Sequence, residues 1–318
     1  SFALSLQNIM TLVSIITPSY NQAAYLEQTI LSVLEQDFPH IEYIVIDGAS
    51  TDGSVDIIKK YADRFAYWVS EKDHGQAEAI NKGFARATGD VIAWLNSDDY
   101  YMQGAVSAAV QIFEENPDVV LVYGDMLAVD EYGKAFNTLT YEQLNLEDLL
   151  CFQIIGQPSV FMRRSAFQKT SGLNLDFHFL LDHLLWIQLA KHGQILHVNQ
   201  IWSAARYHAA TKNRAKAAEF GSEAFRILEV AEQDKELASV LVNVKRRARA
   251  SANRVDARYL LDGGQPAKAL SAWMRAFFIH PPTALARMNI FVSAVLNLLG
   301  MGKMRDAFLK ARETKYKK

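Results

Sequence analysis

Short β-branched apolar runs alternate with stretches of helical spacing through the first hundred residues. "LVSIITPSYN" (12–21) is apolar and closed by Pro, Ser and Asn, which predicts a buried strand and its turn. "AAYLEQTILSVLEQ" (23–36) puts Tyr25, Leu26, Ile30, Val33 and Leu34 at helical spacing. "IEYIVIDGASTDGS" (41–54) repeats the strand and turn, and "SVDIIKKYADRF" repeats the helix. "FAYWVSE" predicts a third strand, "GQAEAINKGFARAT" (75–88) a third helix ended by Gly89, and "DVIAWLN" (90–96) a fourth strand. Strand and helix alternating over short connections predict an α/β domain with a mainly parallel sheet. Ligands of such sheets gather at the carboxyl ends of the strands. Those ends carry Asn21, Asp47 and Asp52, and the run Asn96 to Asp99.

Beyond residue 210 the strand pattern stops and the chain reads as helix throughout. "ARYLLDGGQPAKALSAWMRAFFIHPP" resembles one tetratricopeptide-type hairpin, with a Gly turn and closing prolines. One copy cannot form a solenoid, so a helical appendage is expected. In the segment from residue 283 on, Asn289, Ser293 and Asn297 recur every four residues as a narrow polar stripe. Met288, Ile290, Phe291, Val292, Val295, Leu296, Leu298 and Leu299 cover the rest of the circumference. That broad apolar surface either packs on the preceding hairpin or lies in a membrane interface. The expected organisation is a lead-in at 1–10, an α/β domain at 11–210 and an all-α unit at 211–318.

Composition narrows the class. The 318 residues suffice for one large α/β domain and an extension, and half of them are apolar, as in ordinary globular proteins. A single cysteine, Cys151, excludes an internal disulfide and fits a reducing, cytoplasmic setting. The opening "SFALSLQNIM" has no basic n-region and no clear cleavage site, so it is not read as a signal peptide. No uninterrupted apolar run reaches the ~20 residues of a membrane span. The net charge of −2 conceals a split: from Lys245 onward 16 basic residues face 4 acidic ones. Such asymmetry suggests two units with different partners, and in the membrane-interface reading the basic tail of the second lies on anionic headgroups.

The chemistry starts from "AWLNSDDYYMQGA" (93–105), where a buried strand runs into two adjacent carboxylates. Like charges so close repel, and each is costly to desolvate. A divalent cation beside them removes the conflict; a solvated acidic turn is the alternative.

Four separated segments in order, "VSIITPSYNQAAYLEQTILSVLEQDFPHIEYIVIDGASTDGS", "SEKDHGQAEAINKGFARATGDVIAWLNSDD", "FHFLLDHLLWIQLAKHG" (177–193) and "SAARYHAATKN" (203–213), resemble the inverting family 2 glycosyltransferases of GT-A fold. The resemblance covers about Thr11 to Asn213. It implies a sugar transferred from a nucleotide donor, UDP- or TDP-linked, to a hydroxyl acceptor in polysaccharide, lipopolysaccharide or other glycoconjugate synthesis. Asn96 to Asp99 is then a DXD-type motif with Asn in first place. In it Asp98 is the metal ligand, with His208 beside the metal or diphosphate, and Mn2+ or Mg2+ is the cofactor. Pro18, Tyr20, Asn21, Asp47, Asp73, Gln76, Asn81, Asn96, Ser97 and Lys212 are expected around the donor. Many relatives carry a second Asp where this chain has Gly48, which leaves Asp47 as the base-reading candidate. Gln157 and Ser159 are expected on the acceptor side. Alignment on Trp186 and Leu189 makes Asp182 the general base of an inverting transfer. Arg206 is expected to support its loop.

Three other readings remain open at this level. A nucleotidyltransferase acting on sugar phosphates also binds nucleotide and metal, but "TPSYNQAAY" lacks the Gly-rich, basic phosphate loop. A catalytically idle GT-A module would dock partners only, and the joint presence of Asp47, Asp98, Asp182 and His208 speaks against it. A transferase that works without metal is distinguished by its indifference to chelator. The expected partners are a nucleotide-sugar and a glycan or lipid-linked acceptor, with no nucleic acid. The expected place is the cytoplasm, at the inner face of the membrane.

Overall fold

The computed structural model describes residues 11–208 and 220–302. Its contacts divide the chain into two compact units. One takes in the described residues up to Asn145 together with Ile155–His208; the other joins Leu146–Ile154 to the helices from Phe220 on. The segment 146–154, which the sequence pattern left inside the α/β domain, therefore groups with the helices.

The first unit opens as the periodicity predicts: β1 (Val13–Ser19), α1 (Ala23–Leu34), β2 (Ile41–Asp47), α2 (Ser54–Lys60), β3 (Tyr67–Ser70), α3 (Gln76–Arg86) and β4 (Val91–Trp94). β1 is buried from end to end because helices cover both of its faces. Val13 and Ile15 join Leu26, Ile30 and Val33 of α1 in the main core. On the opposite face α3 approaches so closely that a Cβ on Gly83 would lie 2.4 Å from Ile16. Only glycine fits there.

The second half of this unit is less regular. β5 (Tyr100–Tyr101), α4 (Ala105–Glu115), β6 (Val119–Val129) and β7 (Ala135–Leu139) precede β8 (Val160–Arg163), α6 (Arg164–Phe167), α7 (Leu181–Ala190) and β9 (Gln194–Arg206). The strand order is β3-β2-β1-β4-β8-β6-β9-β5, with β7 paired to β6. Pairing is parallel from β3 through β4, antiparallel at β4/β8, β8/β6, β6/β7 and β5/β9, and parallel again at β6/β9. The parallel part is the expected one; the antiparallel strands come from segments with no strand–helix alternation to announce them.

The second unit consists of α5 (Leu146–Leu150), α8 (Phe220–Gln233), α9 (Lys235–Asp262), α10 (Pro266–Ile279), α11 (Pro281–Leu285) and α12 (Met288–Leu298). Asp234 caps α9 by accepting from the amides of Glu236 and Leu237. Its core is rich in alanine, with Ala250, Ala257, Ala269, Ala272, Ala276, Ala284 and Ala294 fully buried around Trp273, so the helices approach closely. Buried Cys151 lies 2.8 Å from Arg247 Nε, and Arg247 also pairs with Asp148 at 3.0 Å. These bonds fasten 146–154 to α9. No described helix is long and apolar enough to cross a membrane.

Candidate active site

The carboxyl ends of β1, β2 and β4 lie side by side, and their turns are laced together. Asn21, at φ 51°, donates its amide to Ser50 Oγ at 2.8 Å and accepts from the Thr51 amide through Oδ1 at 2.8 Å. Asp52 accepts from the Ala23 amide at 2.9 Å. Asp47 is fully buried. Its carboxylate accepts from the Ser50 amide at 2.9 Å, Ser50 Oγ at 2.5 Å and Ser70 Oγ at 2.7 Å. Those three bonds make it the clamp of the β2 turn. Beside it Gly48 leaves room for Asp73: a Cβ at 48 would stand 2.9 Å from Asp73 Oδ2 and 3.3 Å from the Tyr20 ring. Tyr20 is exposed and Asp73 half-buried, whereas Pro18 is buried in β1.

The acidic turn after β4 forms one hydrogen-bonded network. Gln76 Nε2 donates to Asn96 Oδ1 at 2.7 Å. Asn96 Nδ2 donates to Gln157 Oε1 at 2.9 Å and to Asp99 Oδ2 at 3.2 Å. Gln157 Nε2 closes the loop on the Trp94 carbonyl at 2.8 Å. Asp99 is buried and accepts the Arg206 amide at 2.9 Å. Burial, and then the neighbouring Asp98 charge, push its carboxyl well above the usual carboxylate range. Asp98 keeps its side chain partly exposed, with His208 Nε2 3.1 Å from its Oδ2.

Arg206 is the brace of this arrangement. Its guanidinium donates to the carbonyls of Asp98, Asp130 and Glu131 and to Gln28 Oε1, and lies over the Tyr25 ring. Tyr25 in turn packs on the His208 imidazole, ring centres 4.9 Å apart. β9 thus delivers His208 to Asp98 across 110 residues of sequence.

Asp182 occupies the first turn of α7, half-buried, with Oδ1 accepting the His183 amide at 2.7 Å. The helix is anchored beneath it by Trp186, stacked on Trp94 at 5.2 Å. Two expected residues do structural work away from the network. Ser159 is fully buried and donates to the carbonyls of Gly124 and Gly156. Asn81 uses both ends of its amide on Leu173, at 2.7 and 3.0 Å, which pins the loop before α7. Ser97 is buried beside the network. Lys212 lies outside the described residues.

A cluster on the antiparallel side had no signal in the sequence pattern. Asp125, buried in β6, accepts at Oδ1 from the Tyr141 amide at 2.9 Å and sits 2.8 Å from His197 Nε2. Burial raises the Tyr141 hydroxyl's pKa, and the nearby Tyr207, Asp125 and Asp182 add to the shift. The non-local pairing of β6 with β9 brings His197 to Asp125, and Tyr141 joins them from the segment after β7.

A divalent cation fits the Asp98–His208 pair. Asp98 is partly exposed, His208 presents a ring nitrogen to it, and the Asp99 oxygens are already engaged by Arg206 and Asn96. Among the described residues no three His, Cys, Asp or Glu side chains converge as a metal cage. The remaining ligands would come from donor phosphate and water, as a hard cation at a phosphate site ordinarily takes them.

Comparison with known proteins agrees with this frame. The sequence profile of Glycosyl transferase family 2 matches residues 14–170. The chain is 33% identical over 196 residues to a Bacillus subtilis protein named as a putative teichuronic acid biosynthesis glycosyltransferase, TuaG. That match covers 58% of this chain and 75% of the relative. Two further relatives are matched over 34% and 55% of their own lengths. Among solved structures, TarS of S. aureus in complex with UDP-GlcNAc superposes with TM-score 0.61 at 16% identity, over 94% of this chain and 92% of that one. The mannosyltransferase PcManGT from Pyrobaculum calidifontis, in complex with GDP-Man and Mn2+, gives 0.61 at 18% identity over 91% and 87%. At such identities the superpositions speak for the fold, and the fold is GT-A followed by C-terminal helices.

Proposed function

The chain belongs to glycosyl transferase family 2, and from that premise we propose that it transfers a sugar, with inversion, from a nucleotide-sugar to a hydroxyl of a cell-envelope polysaccharide or related glycoconjugate. The observation that carries the proposal is Asp98, held open at the end of β4 with His208 3.1 Å away, on a turn whose other carboxylate is spoken for. Asp98 and His208 would hold the divalent cation, which when bound supplies positive charge to the departing diphosphate. Asp73, Tyr20 and Gln76 line the donor side. Gln157 shares Asn96 with Gln76, so donor and acceptor sides meet at a single side chain.

In this reading the acceptor oxygen attacks the anomeric carbon as Asp182 takes its proton, and the nucleoside diphosphate leaves from the opposite face. One carboxylate base and one displacement suffice, with no covalent sugar–enzyme species. The donor is proposed as UDP- or TDP-linked. Among the structural neighbours one carries UDP-GlcNAc and another GDP-Man, so guanine is the alternative to measure against. Calorimetric titration of UDP, TDP and GDP with Mn2+ or Mg2+ tests this directly. Tight binding of GDP alone overturns the pyrimidine preference. Metal-independent binding and turnover overturn the role of Asp98.

A further inference from the structure

The last described helix, α12, carries its polarity the wrong way round for a helix on a water-exposed surface. At 3.6 residues per turn, Asn289, Ser293 and Asn297 fall on one side with Ile290 and Ala294. That side faces the hairpin: Ile290, Ser293 and Ala294 are buried, and the Asn289 Oδ1 is buried with no hydrogen-bond partner among the described residues. An ordinary surface helix sends such residues outward. The reason is steric. The α10 surface is lined by Ala269, Ala272 and Ala276 around Trp273, whose Nε1 donates to the carbonyls of Ala284 and Arg287 at 3.1 and 3.3 Å. A surface built for close approach selects the small side chains of α12, Ser293 and Ala294.

What remains outside is apolar without interruption. Met288, Leu298 and the following Leu299 are exposed, the last by 66%, and Val292, Val295 and Leu296 are half-buried between them. Leu285 and Met301 extend the patch at its two ends, both exposed. Arg287 stands exposed at the start of the helix. The sequence that continues from residue 303 to 318 holds seven basic residues and two acidic ones.

We propose that the outward face of α12 docks in the interface of an anionic bilayer, the basic surplus of the sequence that follows it favouring anionic lipid as the partner. Eleven residues of helix are too few to span a bilayer but enough to lie along its surface. Charge decides between occupants. A second copy seated on this face would bring two basic segments together, whereas anionic lipid complements both the apolar arc and the charge beside it. Leu298 and Leu299 are exposed and lie outside the packed core of the hairpin, so both can be altered on the outward face.

The test is co-sedimentation of the full chain with vesicles of phosphatidylcholine alone and of phosphatidylcholine with 30% phosphatidylglycerol, across a salt series. Pelleting is expected only with the anionic vesicles, and it falls as salt rises. Leu298→Glu with Leu299→Glu should lower partitioning by at least ~10-fold while the thermal melt is kept. Leu299→Ser alone, the mildest change, should weaken it measurably. Lys315→Glu, Lys317→Glu and Lys318→Glu together should lower it by roughly 10-fold or more and flatten the salt dependence. The proposal is overturned if the full chain stays in the supernatant at low salt, or if the leucine variants pellet as the parent does. It is equally overturned if those variants instead abolish self-association seen by analytical ultracentrifugation in the absence of lipid.

Discussion

The turns after β2 and β4 both end a buried strand with a carboxylate, and they use it in opposite ways. Asp47 is sealed off, with three donors on its two oxygens. Asp98 is left with a partly exposed carboxylate facing one imidazole, while its neighbour Asp99 takes the structural bonds. Position at a strand end therefore does not by itself leave a carboxylate open to a ligand. What separates the two is how many protein donors are already spent on it, and that is a property of the folded network rather than of the motif.

The comparison breaks most sharply if chemistry and scaffold can be separated by mutation. Asp182→Asn should lower turnover by ~10²–10⁴-fold with donor affinity unchanged, because the side chain keeps its shape and loses only basicity. Steady-state rates alongside donor titration check this, and weakened donor binding at unchanged turnover would move Asp182 into the donor site. Asp98→Ala should cost ~10²–10³-fold in activity by removing the charge clamp on the diphosphate. Its melting temperature should stay close to the parent's, since among the described residues no backbone donor depends on that side chain. Calorimetric Mn2+ binding in the presence of nucleoside diphosphate should disappear with it.

Asp47 should behave in the reverse way. Asp47→Ala removes the buried acceptor of the Ser50 amide and of two half-buried serine hydroxyls, a loss of about 1–3 kcal/mol. Urea unfolding would record it as a lower midpoint. Residual activity, measured well below the melting point, should fall much less than for Asp98→Ala. If Asp47→Ala instead keeps its stability and loses nucleotide binding, Asp47 reads the base and the contrast between the two turns collapses.

The parallel half of the sheet was readable because each strand–turn–helix unit is local: its period, its breakers and its turn residues all lie within about 30 residues. The motif residues Asn96, Asp98, Gln76, Gln157 and His208 do come together. The hydrogen bonds that Asp47, Asn81 and Ser159 make within the fold did not follow from the pattern, since a polar residue near a ligand edge and one that holds that edge look alike in sequence. The meeting of Asp125 with His197 was invisible because β6 and β9 meet only through non-local pairing. The orientation of α12 was not legible either. Its polar stripe was plain, but which way it points depends on the alanine-lined surface of α10.

The smallest expected effect sharpens the comparison at the same strand end where Asp47 is sealed. Gly48 lies next to that clamp, yet its missing side chain opens onto Asp73 and Tyr20, on the ligand side. Gly48→Ala would put a Cβ 2.9 Å from Asp73 Oδ2, and the outer end of that side chain can swing aside. Little stability is at stake, less than about 1 kcal/mol, because the atom displaced belongs to a flexible carboxylate and not to backbone. Asp73 would nevertheless lose its place, although its Oδ1 bond to the Gly75 amide at 2.9 Å restrains how far it moves. If Asp73 contacts the nucleotide, Gly48→Ala should weaken binding of the nucleoside diphosphate by roughly 5- to 10-fold, the loss of one hydrogen bond. The melting temperature should barely change. Asp73→Ala should reproduce the affinity loss, and the double variant should add almost nothing further, as expected of two changes acting through one carboxylate. Full additivity of the two affinity losses would show that Gly48 acts on the Tyr20 side of the pocket instead.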